Sequence, residues 1–255
     1  MKTSKLLKTG CLVLLSAFTF LTGCKKETET IAMEPVSAYS LSGPGKYIIY
    51  RVDSTVVVSF GTSLRVNSYN EKHEADKLTT DNMGRPALRV FRYQRDTANT
   101  KPWAPVGSYF ITALDKTVEV VENNLRYVKL ALPLREGFSW QGNRFLPGKL
   151  YGGAYDFSID NGMDAWDFTY GEVDGETIVR GKPYQYTVTV KQADDVTNFP
   201  LTTDSYGSKI YSKEVYAKGL GLIYQELAML EYQAPPVDRP GYRGFGIKRA
   251  IISHN

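Results

Sequence analysis

From residue 46 to the C terminus, short segments rich in Tyr, Val and Ile recur, and the clearest of them alternate apolar and polar residues. In Tyr184–Lys191, the side chains of Tyr184, Tyr186, Val188 and Val190 fall on one face, and polar side chains fall on the other. A period of two is typical of a β-strand with one buried face. Further candidate strands are Lys46–Phe60, Pro86–Arg95, Tyr109–Leu114, Thr117–Glu122, Leu125–Leu132 and Lys209–Ala217.

Turn-forming residues separate these segments. Asp81–Gly84, Asn123–Asn124 and Asp174–Gly175 lie between apolar segments, and Asp-Gly favours a two-residue hairpin. Leu220–Tyr232 fits a helix or a strand, of which we prefer the strand, and Ser68–Lys77 is interpreted as a short exposed helix. These patterns predict an all-β fold, antiparallel and either barrel-like or a sandwich, in a single domain of roughly ten strands.

The first 24 residues have the layout of an export signal. Lys2, Lys5 and Lys8 form a positively charged start, and Gly10–Leu21 is an apolar run shorter than the roughly 20 residues of a membrane span. The tetrapeptide Leu21–Cys24 (LTGC) then resembles the bacterial lipobox, in which cleavage precedes the cysteine and lipid is attached to it. We therefore predict a lipoprotein signal peptide at residues 1–23 and a lipidated Cys24. The alternative is an ordinary secretory signal with an incidental thiol.

Removal of the signal changes what the composition implies. The chain has 31 Lys and Arg and 27 Asp and Glu, and three of the lysines lie in the signal, so the mature chain has 28 basic and 27 acidic residues and a net charge of +1. This near-neutral charge argues against nucleic acid as a partner. Cys11 leaves with the signal and Cys24 carries lipid, so no thiol remains for a disulfide, a nucleophile or a metal ligand.

Residues 24–45 are polar, carry two prolines and show no period, so we predict a lipidated cysteine followed by a flexible tether, with the β domain at residues 46–255. The predicted partner is the membrane, reached through the lipid. Lys25 occupies the position where enterobacterial lipoproteins retained in the inner membrane often have aspartate. We therefore predict a lipid anchor in the outer membrane of the cell envelope, on its periplasmic or its surface face.

Three segments carry a family resemblance. Glu214–Glu226 (EVYAKGLGLIYQE) resembles the YAKGVGLVYKE segment of uncharacterised Bacteroidetes lipoproteins of mostly β structure. Pro133–Asn143 (PLREGFSWQGN) and Arg249–Asn255 (RAIISHN) look like other recurring parts of that group. The resemblance implies an antiparallel barrel-like or sandwich domain behind a lipid anchor. It names no reaction and implies no catalytic residues.

Few residues could support catalysis. His73 lies in a strongly charged segment and His254 is the penultimate residue, so we interpret both as solvated surface residues. The sequence has no nucleophile elbow, phosphate-binding loop or dinucleotide-binding fingerprint, and we predict neither a cofactor nor a metal site.

Aspartates offer the remaining route to chemistry. Four recur around a glycine-containing turn: Asp156, Asp160, Asp164 and Asp167. Carboxylate oxygens at such a turn could hold Ca²⁺, and a carboxylate pair beside Trp166 could hydrolyse a glycosidic bond. The alternative is a polar turn with solvated acids. Ser54 and Thr97 each follow an aspartate in a pattern that resembles the Bacteroidetes O-glycosylation acceptor.

The three tryptophans are the candidate ligand-binding residues. Trp103, Trp140 and Trp166 lie in loop-like segments flanked by glycine or proline. Exposed aromatic rings on loops can contact sugar rings or peptides, although tryptophan is also a common core residue. We predict that at least one of the three contacts a ligand.

These observations support three hypotheses about function. The first is a lipid-anchored, non-catalytic envelope protein that binds a glycan, a peptide or a partner protein. The second is a carboxylate-based glycoside hydrolase. The third is a carrier of apolar molecules that uses the interior of a half-open barrel. The absence of a catalytic motif in the sequence favours the first over the second, and a large apolar cavity would favour the third.

Overall fold

The computed structural model describes residues 34–155 and 162–255. The predicted signal peptide, Cys24 and the first part of the tether lie outside the described residues, as do Asp156 and Asp160. Within the described part of the chain, no helix is long and apolar enough to cross a membrane.

Strands make up most of the described chain. They are β1 (Tyr47–Val58), β2 (Ser63–Thr80), β3 (Pro86–Arg95), β4 (Ala104–Ala113), β5 (Thr117–Glu122), β6 (Leu125–Ala131), β7 (Ser139–Gln141), β8 (Asp167–Val179), β9 (Lys182–Thr197), β10 (Gly207–Ala217), β11 (Gly221–Gln233) and β12 (Gly241–His254). The helical elements between the described strands are single turns, of which Gly152–Tyr155 is the one α-helical example.

The twelve strands form one antiparallel sheet in the order β6-β5-β4-β3-β2-β1-β12-β11-β10-β9-β8-β7. The two edges of this sheet approach each other. The Val128 N–H donates to the Gly142 carbonyl at 2.8 Å, and the Trp140 indole N–H donates to the Val128 carbonyl at 2.8 Å. The sheet is therefore a nearly closed barrel, which confirms the predicted all-β, antiparallel, barrel-like fold.

The seam between β6 and β7 depends on a glycine. A Cβ atom at Gly142 would lie 2.2 Å from Cδ2 of Phe168, whose ring is 1% exposed. We expect Gly142→Ala to lower the free energy of unfolding by about 1–3 kcal/mol, since overpacking a core costs this much. Urea unfolding measures the loss, and Gly148→Ala is the control because a Cβ there meets open space. Equal stability of the two variants would contradict this packing.

The predicted turns are partly confirmed. Asn123–Asn124 connects β5 and β6 with φ values of 51° and 62°, as a two-residue hairpin requires. The turn predicted at Asp174–Gly175 is wrong, because these residues lie inside β8 and the chain reverses at Arg180–Gly181. Asp174 instead has a φ of 57°, and the pairing of β8 with β9 shifts register around it. The Asp-Gly dipeptide indicates a backbone that can adopt positive φ values, and a β-bulge can use such values as readily as a hairpin turn can.

The two ambiguous segments are both strands. Leu220–Tyr232 forms most of β11, as preferred. The short helix predicted at Ser68–Lys77 is wrong, since the whole segment lies in β2. Its many charges belong to the two faces of one strand, and Glu71 and His73 on the inner face are 3% and 5% exposed.

The segment before β1 packs against the barrel rather than behaving as a tether. Val36 and Tyr39, which are 0% and 1% exposed, lie in a single 3₁₀ turn. The Gly219 N–H donates to the Ala38 carbonyl at 2.7 Å, and Leu41 lines the barrel interior. The compact unit therefore begins at Glu34, and the predicted boundary at residue 45 is too late. Residues 34–45 close one end of the barrel.

Candidate functional site

The interior of the barrel is partly hollow. An upper cavity of about 390 Å³ extends toward the end opposite residues 34–45, and a lower cavity of about 100 Å³ lies beneath it. Five residues line both cavities and form the layer between them: Val120, Glu122, Lys129, Gln225 and Arg249. The layer between the cavities is thus largely polar and charged.

Glu214 lines the lower cavity and binds two residues of this layer, Lys129 and Gln225. Its side chain is 1% exposed and accepts from three donors on β6, β10 and β11. Lys129 Nζ and Gln225 Nε2 lie 2.7 and 2.9 Å from Glu214 Oε1, and the Tyr216 hydroxyl donates to Oε2 at 2.6 Å. A buried carboxylate needs such partners, because an unpaired charge in the protein interior is strongly unfavourable.

Arg249 extends the network toward β2. Its Nη1 donates to the Gln225 Oε1 atom at 2.6 Å, and its Nε lies 3.3 Å from Glu71 Oε1 in an ion pair without hydrogen-bond geometry. Glu71 also lies 2.6 Å from His73 Nε2. We call the connected side chains the inner network: Glu71, His73, Lys129, Glu214, Gln225 and Arg249.

The protonation states within the inner network follow from its contacts. Burial alone would raise the pKa of Glu71, but the hydrogen bond from His73 and the positive charge of Arg249 outweigh it and lower that pKa to about 2. Burial lowers the pKa of His73, so its imidazole is neutral near pH 7. The neutral ring then donates from Nε2 to Glu71 and accepts at Nδ1 from the Tyr109 hydroxyl, 3.0 Å away. The interpretation of His73 as a solvated surface residue is wrong, whereas His254 is exposed.

The walls of the upper cavity combine charge with unpartnered polar atoms. Arg92 Nη1 and Glu122 Oε1 form an ion pair at 2.8 Å. Six buried side-chain atoms of the described residues have no hydrogen-bond partner, and four of these belong to side chains that line this cavity: Arg92 Nε, Asn143 Oδ1, Gln192 Nε2 and Arg249 Nε. Native proteins rarely leave such atoms unpaired, so their concentration in the side chains around one cavity favours a polar occupant.

Aromatic rings surround the upper end of the same cavity. Tyr151 and Tyr155 contact Phe245 with ring centroids 4.9 and 4.5 Å away. Tyr155 is 42% exposed and also borders an outer groove of about 450 Å³ that continues from the barrel end. We regard the upper cavity as the candidate site, because the barrel strands enclose it and buried polar groups line it, whereas the outer groove is an open surface.

The tryptophans differ in their surroundings. Trp166 is 8% exposed and belongs to the core. Trp140 is half-buried at the barrel seam, with its ring centroid 4.6 Å from that of Tyr170. Trp103 is also half-buried, but it lies on a loop, and the guanidinium of Arg95 is 4.2 Å from its ring centroid. Of the three, Trp103 is the one that keeps the character of a surface platform.

The remaining predicted positions do not come together as a site. Asp164 is half-buried in a 3₁₀ turn and Asp167 is exposed at the start of β8. Across residues 34–155 and 162–255, no group of three or more His, Cys, Asp or Glu side chains could hold a metal ion. Ser54 lines the upper cavity, and Thr97 lies in the turn between β3 and β4.

Sequence reasoning missed the inner network. Its members stand on inward-facing positions of β2, β6, β10, β11 and β12. One signal was present, since Glu214 and Tyr216 lie two residues apart and therefore on one face of the predicted strand Lys209–Ala217. Alternation alone, however, does not state which face is inside.

No family model matches the chain, and no curated protein matches its sequence. Among solved structures, the chain is similar to a protein from Bacteroides fragilis that is described as exported and as having a YmcC-like fold. The two share 10% sequence identity, and the match covers 84% of this chain and 99% of that chain with a TM-score of 0.35.

Proposed function

We propose that this chain is a lipid-anchored protein of the cell envelope that binds a small molecule inside its barrel without converting it. The observation that carries the proposal is the upper cavity, with its aromatic end and its unpartnered buried polar atoms. Its volume of about 390 Å³ falls in the range of small-molecule sites, which are roughly 300–1,000 Å³. A mixed lining suits an amphipathic occupant better than a purely apolar one.

Binding is favoured over catalysis by the pairing of the charged groups. Glu71 and Glu214 are each held by several donors, and His73 has both ring nitrogens engaged. A general acid or base needs a pKa near the working pH and access to the substrate, whereas the pKa of Glu71 is about 2. The inner network therefore supports a rigid, polar floor for the cavity.

The envelope location rests on the N-terminal sequence. The charged start, the short apolar run and LTGC support attachment of lipid to Cys24, and Lys25 favours the outer membrane. We expect mass spectrometry of the mature protein to show an acylated Cys24 at the N terminus, and Cys24→Ala to abolish membrane association, because several acyl chains together anchor stably. Cleavage elsewhere, or an unmodified Cys24, would contradict the anchor but not the cavity.

The cavity is tested with N-phenyl-1-naphthylamine, a neutral aromatic probe that fluoresces on entering an apolar site. We expect saturable binding to the soluble domain from Glu34 onward, since these residues form the compact unit. Ser54→Trp fills the upper cavity and should weaken binding at least tenfold, because the probe and the indole compete for one volume. Thr55→Trp, on the outer face of the same strand, is the matched control.

Equal binding by Ser54→Trp and Thr55→Trp would show that the probe lies elsewhere, and the proposal would fail. Trp103→Ala tests the other hypothesis, in which a glycan or a peptide binds at the protein surface rather than inside the barrel. A loss of glycan or peptide binding in this variant, with unchanged probe binding, would support a contact at Trp103, as the half-exposed ring on a loop suggests.

A further inference from the structure

We infer that the occupant of the upper cavity is a small anion: an apolar or aromatic body that carries one acidic group such as a carboxylate or a sulfonate. This inference rests on the proposed function and specifies the chemical class of its ligand. Three kinds of observation support it, namely the charges on the cavity wall, the types of unpartnered atoms, and the aromatic end.

The charged residues that line the upper cavity are mostly basic. Arg92, Lys129 and Arg249 are on its wall, and Glu122 is the one acidic residue among those that line it. Glu71 and Glu214, which balance two of these cations, lie behind the wall and do not line this cavity. Each of the three cations is paired with one carboxylate, namely Glu122, Glu214 or Glu71. Two of these carboxylates do not line the cavity, so the basic partner of those pairs is the one that an occupant meets, and this favours a negatively charged group.

The unpartnered atoms are mainly donors. Gln192 is 8% exposed, and its Oε1 accepts from the Ser212 hydroxyl at 2.5 Å, which leaves Nε2 without a partner. Arg92 Nε is a second N–H group without a hydrogen bond, whereas Arg249 Nε lies 3.3 Å from Glu71 Oε1 in an ion pair. The single unpartnered acceptor is Asn143 Oδ1, because Asn143 Nδ2 donates to the Met163 carbonyl at 2.9 Å. Two donors against one acceptor favour an occupant that is rich in hydrogen-bond acceptors.

The type of donor points the same way. Guanidinium groups form short, charge-assisted hydrogen bonds with carboxylates and related oxyanions, and these bonds are about twice as strong as neutral ones. A neutral hydroxyl or amide would form weaker hydrogen bonds with the same donors. An anion is therefore the group that gains most from this wall.

The aromatic end of the cavity suits the body of such a molecule. Tyr151, Tyr155 and Phe245 form a cluster of rings there, and Leu227 and Ile247 add aliphatic surface in the row of the sheet that also contains Ser212. Aromatic rings favour stacked or edge-on contacts with another ring. The inner network at one end of the cavity and the aromatic cluster at the other together match a molecule with an acidic head and an aromatic or aliphatic body.

The test compares two probes that share one body. 8-Anilinonaphthalene-1-sulfonate is N-phenyl-1-naphthylamine with a sulfonate added, so the ratio of their dissociation constants isolates the acidic group. We expect the sulfonate probe to bind the wild-type soluble domain at least about tenfold more tightly, because hydrogen bonds to charged groups are the strong ones. Competition between the two probes shows whether they occupy one site.

Gln192→Glu places a carboxylate where the free amide donor stands. It should weaken the sulfonate probe at least about tenfold and leave the neutral probe within about twofold. Gln185→Glu, an exposed position on the same strand, is the control. Should Gln192→Glu fail to fold, Gln192→Leu removes the donor without adding charge and should still weaken the sulfonate probe alone.

The outcomes separate the two proposals. Equal or tighter binding of the neutral probe to the wild type would overturn the anion inference and leave the cavity function standing. The inference is also overturned if Gln192→Glu or Gln192→Leu weakens both probes equally. Sulfonate binding that Ser54→Trp does not reduce would place the probe outside the cavity and overturn both.

Discussion

Replacement of Lys129 by Met is expected to lower the free energy of unfolding at pH 7 by about 3–5 kcal/mol, the usual cost of removing one partner of a buried ion pair. The Lys129 ammonium lies 2.7 Å from Glu214 Oε1, and the Glu214 side chain is 1% exposed. Two neutral donors, Tyr216 and Gln225, would remain on this carboxylate. Neutral donors do not offset a buried charge as a cation does, so the loss is large.

Urea unfolding followed by tryptophan fluorescence measures this loss. The double variant Lys129→Met/Glu214→Gln should recover most of the stability, because it removes both charges and keeps hydrogen-bonding groups in place. The amide oxygen can accept from Gln225, and the amide N–H can donate to the Tyr216 hydroxyl, which also serves as an acceptor. Lys191→Met, at an exposed position on β9, is the control and should change stability by less than about 0.5 kcal/mol. A Lys129→Met variant as stable as Lys191→Met would show that the pair does not hold the barrel interior together.

Acid is expected to destabilise the barrel through Glu71. Its pKa is about 2 in the folded protein against 4.5 for the free side chain, so the folded state binds its proton less readily than the unfolded state. A group with a depressed pKa contributes stability above its unfolded pKa, and this contribution is lost as the pH falls from about 4.5 to about 2. A shift of this size corresponds to about 3 kcal/mol. Burial also lowers the pKa of His73, and this adds a loss of stability below about 6.5 with the same sign.

Glu71→Gln tests the assignment. It should lower stability at pH 7, because Arg249 loses its carboxylate partner, and it should flatten the decline between pH 4.5 and pH 2. Glu74→Gln, three residues along β2, breaks only a half-exposed pair with Lys72 and should keep the wild-type pH profile. Unfolding curves at several pH values distinguish the variants. An acid profile of Glu71→Gln parallel to that of the wild type would assign the loss to other groups.

Strands with strong local patterns were predictable to the residue. Pro86–Arg95 and Thr117–Glu122 have the predicted bounds as β3 and β5, since β-branched and aromatic residues favour a half-buried pleated surface wherever the strand pairs. Predictions failed where pairing partners decided the outcome. Asp174–Gly175 is compatible with a turn, but its pairing with β9 makes it a bulge. Ser68–Lys77 carries charges on both faces, and only a partner on each side makes it a strand.

The candidate site was not predictable in the same way. Lys129 and Glu214 are 85 residues apart in the chain, and the segment that begins at Glu214 resembles a family without assigning that residue a role. In the sequence each looks like a solvated surface residue, because charged side chains usually are. Only when β6 and β10 face each other across the barrel does each charge acquire the partner that makes its burial tolerable.

The sequence by itself determined the β class, because the class depends on residues that are close together in the chain. For the same reason the sequence predicts the export signal and the lipobox cysteine. The tertiary structure decided which face of each strand is inside, that residues 34–45 close one end, and that a cavity lined by charged, polar and aromatic side chains lies within. The physical reason is that a period of two places side chains on two faces of a strand but does not decide which face points into the barrel. That choice depends on which side chains meet across the closed barrel, and so does the place where a ligand would bind.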